Sequence, residues 1–346
     1  LRVAVIGTLG IELDGVTIPT GRTTPEAPVL HRWLATFEQQ GIDIVVVEVS
    51  SHAMSEHRVT GVVFDIAAFT HLSQDHLDYH GTMEAYFAAK SELFTEAFAR
   101  RAVIGIDDEW GLRLAASCVI PSTTWSCHRG DVTGKAISGG LRIVLPGGDV
   151  VDMPMPLPGA FNIENATCSA AILEVIGISP RIYPHAFADV RIPGRMEAIH
   201  RHDGVAVIVD YAHTPDAIDR VIGSIERTGR VIVVIGAGGD RDQGKRRGMG
   251  VAAGQQADVV IVTDDNPRSE DPRAIRSEVM AGVQTTSAEL IEIGDRRAAI
   301  AQALSLAVGG DTVLVLGKGH EGGQEVNGVV SPFDDRAVIR DLLGGD

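Results

Sequence analysis

Short runs of Val, Ile and Leu recur along the chain, at Ile44–Val47, Val205–Val209, Val231–Ile235, Val259–Val262 and Val313–Leu316. They do not alternate with polar residues, which predicts strands buried on both faces, as in a parallel sheet. Helical patterns lie between them. Thr24-Pro25 is expected to open one helix as N-cap and first residue, followed by Val29, Leu30, Trp33, Leu34 and Phe37 at helical spacing. Asp271-Pro272 opens another, and Arg296–Ala307 reads as a further one. At about 100° per residue, a helix over Thr82–Phe98 places Tyr86, Phe87, Leu93, Phe94, Ala97 and Phe98 on one face, with Lys90 in the middle of it. Gly130–Val151 is Gly-rich with short alternating stretches such as Leu141–Val144, the pattern of a hairpin insertion. The repeated strand–loop–helix order implies α/β domains. A junction is expected near Arg181–Gly194, where Pro184 and Pro193 flank a mixed stretch.

Composition narrows the partners. The 346 residues suit two domains, and 45% hydrophobic content supplies their cores. A net charge of -16 argues against nucleic acid and against anionic membrane surfaces. It leaves room for an anionic ligand held by a few local cations. The cysteines, Cys118, Cys127 and Cys168, are odd in number and lack zinc-type spacing, which points to a reducing compartment. No apolar run reaches the ~18 residues of a membrane span, and no signal peptide is visible. A cytoplasmic protein is therefore expected. The first residue is Leu1 rather than Met, so the chain is read as a fragment.

In open α/β sheets, ligands bind beyond the carboxyl ends of the strands. The loops at those ends are rich in polar residues. Glu48-Val49-Ser50-Ser51-His52 follows Ile44–Val47, where a carboxylate can hold Mg²⁺ beside phosphates; a solvated strand end is the plainer reading. Thr70–Gly81 follows the run Phe64–Phe69 and carries His71, His76 and His80 with Asp75 and Asp78, a composition suited to metal binding or proton transfer. Lys90, on an apolar stripe, either snorkels to a rim or is an uncharged amine. Four further loops, Asp210–Pro215, Gly236–Arg246, Thr263–Arg268 and Gly317–Glu321, follow the later runs and are expected to converge on one crevice. Arg241, Arg268, Asn266 and Glu321 supply both signs of charge, as a zwitterionic amino acid requires. The Gly-rich loop at Gly236 lacks the spacing of a dinucleotide fingerprint.

These motifs, in this order, resemble the Mur ligase family, and within it the tripeptide synthetases that add meso-diaminopimelate. The resemblance runs from Ile6-Gly7-Thr8-Leu9-Gly10 to the C-terminus. It is most specific at Thr23-Thr24-Pro25, Glu48–His52, Asp75–Gly81, Ala89-Lys90, Pro193–Glu197, Asp210–Pro215, Gly238–Lys245, Asp265–Arg268 and Gly317–Glu321. It implies most of a central P-loop-type ATPase domain over residues 1–190 and a C-terminal Rossmann-like α/β domain over 191–346. It implies a soluble enzyme that uses ATP and Mg²⁺ to join meso-diaminopimelate to a UDP-N-acetylmuramoyl dipeptide through an acyl phosphate. Glu48, His76 and Lys90 would be metal ligands, with Lys90 as a carbamate and with His76 and Lys90 at the catalytic centre. Thr23, Thr24, Ser50 and Arg58 would hold the muramoyl peptide, and Asn165, Arg195 and Asp210 the nucleotide. Arg241, Asp265, Asn266, Pro267, Arg268, Gly317 and Glu321 would form the amino-acid pocket. Within it, Arg268 would pair with the second carboxylate that distinguishes diaminopimelate from lysine.

The chain departs from this pattern chiefly in that it contains no G-x-x-G-K-[ST]; Arg247-Gly248 and Gly105 are smaller departures. The family's N-terminal uridine-nucleotide domain is also missing and is expected in a longer parent. Without a loop to cradle the β- and γ-phosphates, this polypeptide alone is expected to bind ATP poorly and to lack ligase activity. Loss of the strand that leads into that loop should leave two unpaired sheet edges. Two alternatives compete with the ligase: a non-catalytic α/β amino-acid-binding module, and a folylpolyglutamate synthetase-like ligase, which would lack the Asp265–Arg268 tetrad.

Overall fold

The computed structural model describes residues 1–199 and 203–344. The aliphatic runs form strands as expected, and the described residues hold three main sheets. The first contains β1 (Val3–Gly7), β2 (Gly10–Leu13), β3 (Val16–Ile18) and β4 (Ile44–Val47), in the order β3-β2-β1-β4. The parallel pair β1 and β4 is linked by the helix Ala27–Gln39. That helix begins later than the sequence suggested: Thr24 is not its N-cap. The Thr24 hydroxyl instead donates to the Glu48 carbonyl at 2.7 Å and accepts from Ser50 N at 3.0 Å, tying two loops together.

The second sheet runs β10-β9-β8-β7-β6-β5, with β5 (Ala67–Phe69), β6 (Ala102–Gly105), β7 (Ser122–Ser126), β8 (Val132–Ile137), β9 (Gly140–Val144) and β10 (Val150–Pro154). β5 to β8 are parallel, and β8 to β10 form an antiparallel meander. The Gly130–Val151 segment is thus an extension of the sheet rather than a separate insertion, because Val132, Leu141, Ile143 and Met153 join the core formed with Trp125 and Val103. The helix expected over Thr82–Phe98 is shorter. Thr82 caps it by accepting from Ala85 N, it spans Met83–Ser91, and it tightens to a 3₁₀ turn at Glu92–Phe94. Tyr86, Phe87 and Phe94 are buried, whereas Ala97 is exposed.

The expectation of two unpaired edges is met. Among the described residues, β4 pairs with β1 alone, and β5 with β6 alone. The all-aliphatic β4 is only partly covered, with Val46 49% exposed. Open aliphatic edges template association between copies. Val46→Lys, which places a charge on β4, is expected to lower concentration-dependent light scattering of the purified chain. Unchanged scattering would show that this strand is not the point of association.

The third sheet contains β11 (Glu197–Ile199), β12 (Ala206–Asp210), β13 (Val231–Ile235), β14 (Val259–Val262), β15 (Glu289–Glu292) and β16 (Thr312–Leu316), in the order β11-β12-β16-β13-β14-β15. All its pairings are parallel except that of β11 with β12. Side chains alternate between faces: Val231, Val233 and Ile235 enter one core, and Ile232 and Val234 the other. Both faces are covered, so the runs show no polar alternation. A short hairpin, β17 (Gly323–Val326) and β18 (Val329–Pro332), follows β16. The expected junction is partly helical. Tyr183–Ala188 forms a helix whose Tyr183 is fully buried with the second sheet's core, and the chain then crosses to β11. Gly194 has φ +65° there, and a Cβ would sit 2.1 Å from the backbone nitrogen of His320. Only glycine satisfies both the dihedral and the close approach.

Candidate functional site

β13 lies between β14 and β16, and β12 lies on the far side of β16. The chain therefore reverses direction across the sheet at β13 and β16, and a crevice opens at their carboxyl ends. The loops after β12, β13, β14 and β16 line one cavity together with the loop after β5, enclosing about 700 Å³ of open space. Its wall includes Arg241, Asp265, Asn266, Arg268, Gly317 and Glu321 from one side and Asp75, His76 and Asp78 from the other.

The tetrad after β14 is rigidly held. Gly239 packs so closely that a Cβ would lie 1.9 Å from the Pro267 carbonyl, and Gly239 N donates to Asn266 O at 2.8 Å. Gly317, at φ +111°, brings its backbone against Asp265. Asn266 Nδ2 donates to Glu321 Oε2 at 2.8 Å, and its Oδ1 accepts from Glu325 N at 2.9 Å. Arg268, itself at φ +51°, donates through one terminal nitrogen to Gly239 O at 2.7 Å, and its Nε lies 3.3 Å from Glu325 Oε2. Its second terminal nitrogen has no partner among the described residues and is open to a carboxylate. The β17 strand is stitched to the tetrad by Arg268 N to Glu325 O at 3.0 Å and by Gln324 Nε2 to Asp265 O at 2.7 Å. Arg241 makes one local bond, to Asp240 O at 2.9 Å.

The two sides of the cavity are joined by charge. Asp75 Oδ1 lies 3.1 Å from Lys245 Nζ, and Asp75 Oδ2 lies 3.6 Å from His213 Nε2. Burial alone would raise the Asp75 carboxyl, but the His213 imidazole and the Lys245 and His76 charges hold it well below the usual carboxylate range. His76 sits in a left-handed conformation at φ +55° and packs edge-on to His52 and Tyr86. Burial pushes its imidazole toward the neutral form, with Asp75 opposing. Lys90 stands over the Tyr86 ring at 5.2 Å, and burial lowers its ammonium from the ordinary range. It lines a smaller cavity with Val49, Phe69 and His71, between the open β4 and β5 edges. The apolar-stripe reading of Lys90 therefore holds at Tyr86, Phe87 and Phe94.

Glu48 is held by Thr8, whose hydroxyl donates to Oε2 at 2.6 Å and whose backbone N donates at 3.1 Å. Its second oxygen is left unbonded among the described residues. No group of three or more His, Cys, Asp and Glu residues converges as a metal cage among the described residues. Glu48, on the first sheet, and His76, on the second, stand as separate donors. Thr23 contacts the Thr8 hydroxyl at 3.1 Å, and Ser50 caps the short helix Ser51–Ser55. Arg58 is 5% exposed and already committed, to Thr24 O at 3.2 Å and to Glu56. Asn165 contacts Asn162 at 3.4 Å. Arg195 stacks over Tyr211 at 4.3 Å. Asp210 is buried, and its two oxygens accept from Met196 N and Ala212 N at 2.7 and 2.8 Å, which clamps the Arg195 turn to β12.

The sequence reading named Asp75 within a loop suited to metal binding or proton transfer and held His213 and Lys245 only inside the motifs Asp210–Pro215 and Gly238–Lys245, without giving the three a role; it passed over Glu325. Asp75 adjoins His76, and Lys245 closes the Gly238–Lys245 motif, so both carried a local signal. Glu325 carried none, because it reaches Arg268 only through the β17 hairpin.

The three sheets and the shared cavity define an α/β protein with a cleft carrying both signs of charge. Two family models match it: "Mur ligase middle domain" over residues 1–173 and "Mur ligase, glutamate ligase domain" over 194–319. The chain is 44% identical to the UDP-N-acetylmuramoyl-L-alanyl-D-glutamate–2,6-diaminopimelate ligase of Corynebacterium efficiens over 360 residues, covering 99% of this chain and 68% of that one. The ligase of the same name from Aquifex aeolicus is 41% identical, with 100% and 72% covered. A solved structure of such a ligase superposes with a TM-score of 0.65 at 35% identity, over 99% of this chain and 72% of that one. Folylpolyglutamate synthase of Mycobacterium tuberculosis, complexed with ADP, shares the fold alone, with a TM-score of 0.74 at 20% identity over 100% and 85% of the two chains. The chain belongs to the Mur ligase family. No helix among the described residues is long and apolar enough to cross a membrane.

Proposed function

We propose that this chain carries the amino-acid-adding machinery of an ATP-dependent ligase that joins meso-diaminopimelate to a UDP-N-acetylmuramoyl dipeptide in peptidoglycan precursor synthesis. The observation that carries this reading is the Arg268 guanidinium at the cavity, fixed by Gly239 O and Glu325, with one terminal nitrogen unpartnered among the described residues. A diamino diacid supplies a distal carboxylate for it; lysine does not. Asp265 and Glu321, on the same wall, supply negative charge for an ammonium group.

ATP, when bound, supplies the phosphoryl group that activates the dipeptide carboxylate. Glu48 keeps a carboxylate oxygen without a partner among the described residues, as a hard cation requires, and burial favours the neutral form of His76, which can offer a lone pair. These two residues, with Lys90, would hold Mg²⁺. Burial favours an uncharged Lys90, the form of an amine able to take up CO₂ as a carbamate. Thr23, Thr24, Ser50 and Arg58 are read as the muramoyl-peptide contacts and Asn165, Arg195 and Asp210 as nucleotide contacts. Residues 1–190 are read as the partial ATPase domain, residues 191–346 as the amino-acid-binding domain, and the cytoplasm as the compartment.

Calorimetric titration of the purified chain with meso-diaminopimelate, L-lysine and L-glutamate tests this reading. Saturable binding of meso-diaminopimelate, at least about tenfold tighter than that of lysine (about 1.4 kcal/mol), is expected. Equal affinities, or preference for glutamate, would count against the diaminopimelate assignment and toward the folylpolyglutamate-like reading.

A further inference from the structure

One charged group behind the cavity belongs to none of the roles assigned above. Lys318 is fully buried, with 0% exposure, and its ammonium lies 3.1 Å from Asn266 Oδ1, 3.2 Å from Glu321 Oε2 and 3.7 Å from Asp265 Oδ1. An ammonium has three N–H donors and no acceptor, and these oxygens occupy its surroundings. All three belong to residues of the cavity wall, while Lys318 itself does not line the cavity. Burying an ammonium is costly unless it is paired, and here every partner is a pocket residue.

The arrangement fixes two properties of the wall. Asn266 Oδ1 receives Lys318 and the Glu325 backbone N–H, which turns its Nδ2 toward Glu321 and decides the amide's orientation. Charge is set as well: Asp265 and Glu321 carry two negative charges in a confined space, and Lys318 offsets one. Glu321 Oε1 and Asp265 Oδ2 have no hydrogen-bond partner among the described residues, so each carboxylate keeps an oxygen for a ligand. We propose that Lys318 is a positioning residue of the amino-acid site. Its ammonium holds Asn266 and Glu321 in place and leaves the Asp265–Glu321–Lys318 cluster one net negative charge, matched to one ammonium of a bound diamino acid. This rests on the amino-acid-pocket reading given above.

The test uses the whole 346-residue chain as Lys318→Ala and Lys318→Met. Binding of meso-diaminopimelate is measured by calorimetry with ethylammonium chloride or tetramethylammonium chloride added at matched ionic strength. Both variants are expected to bind about thirtyfold more weakly or worse, as for deletion of one member of a buried charged network. Ethylammonium, small enough for the vacated space, restores most of the affinity of Lys318→Ala. It restores none in Lys318→Met, whose side chain fills that space, and tetramethylammonium, which has no N–H, rescues neither. Circular dichroism and thermal midpoints establish folding, and the near-isosteric Met variant carries the test if the Ala variant does not fold. A folded variant with parental affinity, or a folded Ala variant that ethylammonium does not rescue, overturns the positioning role. A parent chain that binds no diamino acid overturns the functional reading and the inference with it.

Discussion

Arg268→Gln is expected to weaken meso-diaminopimelate binding by about 30- to 150-fold while changing L-lysine binding by less than about threefold, so that selectivity between the two collapses. The magnitude follows from one charge-assisted contact to a carboxylate, worth about 2–3 kcal/mol in a partly desolvated site. Arg268 is 21% exposed on its side chain, so solvent screens it only in part. Glutamine keeps most of the side-chain length, and Glu325, 37% exposed, can be rehydrated at little cost when its partner is lost. The backbone of the tetrad stays in place through Gly239 N to Asn266 O and Arg268 N to Glu325 O. The loss should therefore appear in ligand affinity and not in the unfolding midpoint. Paired titrations with the two amino acids check it. Equal losses for both ligands would place Arg268 against the shared α-amino acid end instead of the distal carboxylate.

The sequence was most informative where burial is two-sided. Val231–Ile235 and Val259–Val262 are strands over the residues their aliphatic runs predict, because each side chain, whichever face it takes, enters a core. The loops after these strands could be assigned to one crevice from the strand-end rule alone. Local signals failed where a tertiary partner outbid them. Thr24 has the chemistry of a helix cap, yet its hydroxyl is taken by Glu48 O and Ser50 N from a segment 24 to 26 residues away. The helix carrying Lys90 ends at Ser91 and tightens, so the projected face was correct at Tyr86 and Phe87 and wrong at Ala97. Long-range pairings such as Asp75 with Lys245, 170 residues apart, have no periodicity to reveal them.

The largest stability effect is expected beneath the end of β16, behind the cavity wall. Arg296 and Asp335 form a two-point ion pair, Nε to Oδ1 and a terminal nitrogen to Oδ2, both at 2.7 Å, with both side chains at 0% exposure. The same terminal nitrogen donates to Leu316 O at 3.0 Å, fixing the end of β16 from which Gly317 and Lys318 emerge. Removing one partner strands a charge that water cannot reach, at a cost of about 3–5 kcal/mol. Arg296→Met leaves the Asp335 carboxylate alone in the apolar layer formed by Ile300, Val315 and Ile339. Urea unfolding should show a lowered midpoint with an unchanged slope for that variant. Arg296→Met combined with Asp335→Leu removes both charges and should recover most of the loss, since an apolar pair of similar volume is often no worse than a buried ion pair. If the double variant were as unstable as the single one, the pair's contribution would lie in its hydrogen bond to Leu316 and in the packing of the last helix, Asp335–Leu342, and not in charge compensation.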